Sequence, residues 1–90
     1  MFYVIRDSYS DYEYEIIAES NSYREILRKM IEDVKSKSGE DGTDIDVDAL
    51  VDAIDNGEEC EDSELQIWDN GALIDGYCRW GITEWKGKGE

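Results

Sequence analysis

Asp48, Asp52 and Asp55 stand four and then three residues apart, and Asp44 lies four residues before the first of them. On an α-helix this i, i+4, i+8, i+11 spacing gathers four carboxylates into a stripe about 80° wide, with about 6 Å between neighbours one turn apart. A regular line of negative charge is also what a nucleic-acid strand presents, at about 3.4 Å per phosphate. The chemistry such a stripe offers is electrostatic: it can engage cationic groups that are laid out to receive a phosphate backbone. Helix propensity does not account for the choice of residues. Aspartate is a poor interior helix former, and like charges four apart cost about 0.2–0.5 kcal/mol. Asp52 and Asp55 also meet the negative end of the helix dipole.

The remaining charge extends this pattern. The 90 residues carry 24 Asp and Glu against 9 Lys and Arg, with no histidine, for a net charge of −15. Basic residues occur only at 6, 24, 28, 29, 35, 37, 79, 86 and 88, so residues 38–78 contain 14 acids and no base. The other 49 residues, with ten acids and nine bases, are almost neutral. The candidate partner-binding residues are therefore Glu40, Asp41, Asp44, Asp46, Asp48, Asp52, Asp55, Glu58, Glu59, Glu61, Asp62 and Glu64. A solvated face that keeps a small protein soluble also produces charge runs. Solubility does not, however, require excluding every base from 41 residues, and adaptation to high salt would spread acid over the whole surface.

Other chemistries are poorly supplied. A histidine-based triad cannot be built, and two cysteines without histidine do not make an ordinary zinc site. Asp44-x-Asp46-x-Asp48 copies the start of an EF-hand loop, but Ala49 and Asp55 stand where the loop needs Gly and Glu. No cofactor and no metal is expected. Cys60 and Cys78 are expected to be free thiols, and the acids flanking Cys60 argue against catalytic use. Carboxylate pairs abound, but a 90-residue domain has little room for a substrate cleft beside its core. The chain is expected not to be an enzyme. A charge of −15 repels phosphate, so direct nucleic-acid binding is excluded as a reading. No apolar run reaches the ~20 residues of a membrane span, and the N-terminus lacks the features of a signal peptide; a cytoplasmic location is expected.

The elements that must position these residues form one domain spanning 1–90. Residues 2–6 read as a strand, and 12–18 alternate as a second, with Tyr12, Tyr14 and Ile16 on one face. Ser22-x-x-Glu25 is a capping box that opens a helix with Tyr23, Ile26, Leu27, Met30, Ile31 and Val34 on one side, and Gly39 fits its stop. A second helix runs from 44 or 46 to 56 and ends at Asn56-Gly57, and an acidic loop follows at 58–63. Residues 64–69, Asn70-Gly71 and 72 onward predict a hairpin turned by two positive-φ residues; 77–85 continues the sheet and 86–90 is a tail. The fold class is α+β, in the order ββααββ or ββααβββ: a small antiparallel sheet with both helices on one face. Tyr9, Tyr12, Tyr14, Tyr23, Trp68, Trp80 and Trp85 are many amphipathic aromatics for this length, and Trp68 and Trp80 are expected in the core. The face carrying Tyr12 and Tyr14 is either an interface rim or a charge-guarded strand edge.

In size, in charge and in the block 40–64, with 12 acids and no base, the chain resembles small phage-encoded DNA mimics of the anti-CRISPR and anti-restriction type, and is broadly similar to uracil-DNA glycosylase inhibitors. That resemblance implies a nucleic-acid-mimicking inhibitor, monomeric or homodimeric, that blocks the cationic groove of a Cas nuclease or similar defence enzyme. Arginines that read the target-adjacent duplex are groups the aspartate stripe would meet. An immunity protein neutralising a basic nuclease toxin, and a non-inhibitory acidic interaction domain, are the alternatives.

Overall fold

Apolar residues at 26, 27, 30, 31 and 34 form one helix face that is buried when it is laid on a sheet, and that arrangement organises the structure. The computed structural model describes residues 1–8, 13–39, 45–61 and 64–84. They form β1 (Phe2–Ser8), β2 (Glu13–Ser20), α1 (Tyr23–Lys37), α2 (Val47–Asp55), β3 (Cys60–Glu61), β4 (Leu65–Trp68), β5 (Gly71–Ile74) and β6 (Cys78–Glu84). All six strands join one antiparallel sheet in the order β2-β1-β6-β5-β4-β3, and the chain is α+β as its pattern predicts. β3 is an addition: two residues of the expected acidic loop pair with Gln66 and Ile67 and become an edge strand.

α1 starts on Ser22, whose hydroxyl accepts the Glu25 N–H at 3.3 Å. The second half of the expected capping box is replaced, because the Ser22 N–H goes to the Ser20 hydroxyl at 3.1 Å. The helix buries Ile26, Leu27, Met30, Ile31 and Val34 against Val4, Ile67, Ala72, Cys78 and Trp80 of the sheet, and Val51 and Ile54 of α2 complete the core. The last turn of α1 also contacts the residue before the α2 cap, since the Lys35 ammonium donates to the Ile45 carbonyl at 2.9 Å.

The inward side of α1 also carries an acid. Asp33 follows Ile26 by seven positions, only about 20° away around the helix. Its carboxylate accepts from the Arg6 guanidinium and from the Trp80 indole N–H, both at 2.7 Å, while the other arm of Arg6 reaches Glu15 at 2.7 Å. Burial opposes the Arg6 charge, but the bond and charge of Asp33 more than offset it, and the guanidinium is held above its ordinary range.

The register of β1 on β2 shifts between Val4 and Ile5, leaving Ile17 as an extra residue. Such a bulge lets consecutive residues point the same way. Ile17 and Ala18 both pack against the core, while Tyr14 and Ile16 remain 74% and 64% exposed on the opposite face.

The β4–β5 hairpin forms as predicted, but Gly71 lies inside β5 and is not a positive-φ turn residue; among the described glycines only Gly39, Gly57 and Gly76 have positive φ. The reason for glycine at 71 is space. A Cβ there would stand 2.8 and 2.9 Å from the Trp68 ring and 2.9 Å from the Trp80 carbonyl oxygen. Gly71→Ala is therefore expected to cost about 1–3 kcal/mol, measured as a lowered urea midpoint with an unchanged slope, because the backbone oxygen cannot move aside.

Candidate anionic interface and open sheet face

α2 opens on Asp46, whose carboxylate accepts the Ala49 N–H at 3.2 Å, so this predicted site residue is a helix cap. The aspartate stripe that follows is not bare. Arg24 bridges Asp52 and Asp55, with 2.9 Å to Asp55, and Arg28 pairs with Asp48 and, at 3.6 Å, with Glu32. The arginines are one turn apart on α1 and the aspartates one turn apart on α2. The antiparallel helices thus match Arg24 with Asp52 and Arg28 with Asp48. Ion pairs across the helix seam give these aspartates a tertiary role that helix propensity does not supply. All of these side chains are 46–71% exposed, so the pairs set how α2 lies against α1 more than they stabilise the fold.

The acid left over gathers elsewhere. Glu58 and Glu59 follow α2, Glu61 lies in β3, Glu64 precedes β4 and Asp75 sits in the β5–β6 turn. All five are exposed, and none forms an ion pair with another described residue. The Asp75 N–H donates to the Glu64 carbonyl at 2.9 Å, which brings the ends of β4 and β5 together. The resulting surface is the β3–β4 edge of the sheet. Of the predicted binding residues, Asp46, Asp48, Asp52, Asp55, Glu58, Glu59, Glu61 and Glu64 are described, while Glu40, Asp41, Asp44 and Asp62 lie outside the described residues, as do Tyr9, Tyr12 and Trp85.

α1, with α2 packed against it, lies on one face of the sheet, and strand alternation assigns the other. Tyr3, Ile5 and Asp7 of β1, Tyr14 and Ile16 of β2, Glu61, Gln66, Trp68, Leu73, Arg79 and Thr83 share that open face. Only Trp80 of the two tryptophans expected in the core is there, at 2% exposure; Trp68 is half-buried on the open face, its ring lying over Gly71. Gly71 pairs with Gly81, so a strip without side chains runs beside that ring. On one side of Trp68 is a shallow groove of about 360 Å³ whose lining includes Ile5, Tyr14, Gly81, Thr83 and the Asp7–Arg79 pair. On the other is a groove of about 300 Å³ lined by Glu59, Cys60, Glu61, Gln66, Ile67 and Trp68.

Neither thiol is in a disulfide: Cys60 is half-buried in β3 and Cys78 is buried in β6. Three strand spacings of about 4.8 Å separate β3 from β6, well beyond the reach of a disulfide. Burial pushes the Cys78 thiol up, against the opposing pull of Arg6 and Lys37, so it is poorly reactive at neutral pH. Tyr23 joins α1 to the β4–β5 turn by donating to the Asp69 carboxylate and carbonyl. Burial first, then this bond, raises the phenol above its ordinary value of 10.0. A raised folded-state value means stability that is fully present below pH 10 and declines as the pH rises above it. Urea midpoints between pH 8 and 11 should fall above about pH 10, and Tyr23→Phe should flatten that decline.

Among the described residues no group of acids or cysteines is placed to hold a metal, and no helix is long and apolar enough to cross a membrane. No family model, curated protein or solved structure matches the chain.

Proposed function

We propose that this chain is an inhibitor that presents acid to a cationic groove, occupying the nucleic-acid channel of a basic partner such as a Cas nuclease or comparable defence nuclease. The observation that carries the reading is the segregation of unpaired charge. α1 supplies arginines to the aspartates of α2, but nothing described supplies them to Glu58, Glu59, Glu61, Glu64 and Asp75 at the β3–β4 edge. An edge strand with that much free carboxylate is a poor template for aggregation and a good counterpart for a row of arginines and lysines. The surface that imitates phosphate on this reading is the sheet edge, with the α2 stripe held back by its own arginines. No catalytic role is assigned to any residue.

The test is capture from a lysate of the native host on immobilised protein. A nucleic-acid enzyme released by 0.5 M salt or by competing duplex DNA is the expected result, because both displace a charge-driven contact. Capture that is indifferent to salt and to DNA would overturn the reading.

A further inference from the structure

The two grooves on the open sheet face differ in charge, and the more acidic one is built as a receptor for a single type of side chain. Its lining residues include Trp68, Glu59, Glu61 and Gln66, around about 300 Å³ of space. Register fixes the arrangement, because Glu61 pairs with Gln66 across β3 and β4, and Trp68 is two residues further along the same face. The ring lies over Gly71, where a Cβ would collide with it. Both carboxylates are exposed and have no ion-pair partner among the described residues. An aromatic residue beside carboxylates suits a planar cation, which can stack on the ring while its N–H groups bond the oxygens.

We propose that this groove docks an arginine side chain of the partner, with the guanidinium between Trp68 and the carboxylates of Glu59 and Glu61 and the Gln66 amide as a further hydrogen-bonding group. The site rests on the reading of the chain as a ligand for a cationic surface and names the group that surface must offer. Charge complementarity selects the occupant. The neighbouring groove already contains Arg79, paired with Asp7 at 3.3 Å, so an incoming cation is drawn to the β3–β4 side of Trp68. Arginine is favoured over lysine because only the planar guanidinium both stacks and donates in a fork.

The probe is acetyl-hexa-arginine amide, titrated into the isotopically labelled protein at 50 mM salt, with hexa-lysine as comparison. The Trp68 indole N–H and the backbone amides of 59, 61 and 66 should shift together and saturate, with hexa-lysine weaker. Glu59→Gln with Glu61→Gln, both exposed and harmless to folding, should weaken binding by about tenfold, and Trp68→Phe should blunt the preference for arginine. Asn at 48, 52 and 55 should leave these shifts in place. Binding with shifts confined to other surfaces would overturn the site and leave the cationic-partner reading standing. No shift anywhere at 50 mM salt would overturn both.

Discussion

Replacing Asp33 with alanine is expected to lower stability by about 3 kcal/mol, a large share of what a domain of this size possesses. The loss comes from two directions at once. Arg6 keeps only its more exposed bond to Glu15, and the Trp80 indole N–H, on a side chain 2% exposed, loses its acceptor. Both bonds to Asp33 are charge-assisted, and the donors left behind are largely out of reach of water. Asp33→Asn should cost less, since an amide oxygen can still accept from one of the two donors. Urea unfolding followed by tryptophan fluorescence measures both variants. An alanine variant within 0.5 kcal/mol of the parent would show that water replaces Asp33 without penalty. The triad also joins α1 to β1 and β6, so the same variant should speed amide exchange in the central strands of the sheet.

The second large effect separates the two acidic surfaces. Gln at 58, 59, 61 and 64 should weaken binding to a cationic partner by about 100-fold at 50 mM salt, at roughly 0.7 kcal/mol for each exposed charge. Asn at 48, 52 and 55 should change affinity only a few-fold, because those carboxylates are engaged by Arg24 and Arg28 and are not the ones offered to the partner's cations. Isothermal titration at 50 and 300 mM salt reads both variants, and the salt dependence should collapse only in the first. The reverse order, with the stripe variant losing affinity and the edge variant keeping it, would place the docking surface on α2.

Much of the fold was legible because local rules and packing agree. The α1 stripe, its serine cap and the Asn56-Gly57 stop follow from spacing and turn chemistry and fall where that spacing puts them, while the β4–β5 hairpin forms with its turn one residue earlier, at Asp69-Asn70. β3 was not legible. A two-residue strand has no periodicity of its own and exists because β4 offers it an edge. Trp68 and Gly71 were misassigned together: a tryptophan in an apolar run reads as core, and a glycine after asparagine reads as a turn. Their real relation, a ring lying over a residue without a side chain, depends on which way β4 faces. Asp33 did leave a trace, an acid on the helical lane of Ile26, but its partners Arg6 and Trp80 are 27 and 47 residues away.

The sequence by itself determined how much negative charge there is and that it lies between residues 38 and 78, because composition and order do not depend on folding. It also determined that a small antiparallel sheet would carry both helices. Only the tertiary structure decided which of those charges face solvent unpaired. Antiparallel packing of α1 on α2 brings Arg24 and Arg28 from the nearly neutral part of the chain to the aspartate stripe, while the β3–β4 edge receives no cation from any described element. Charges are paired by distance in space, and distance along the chain does not reveal it.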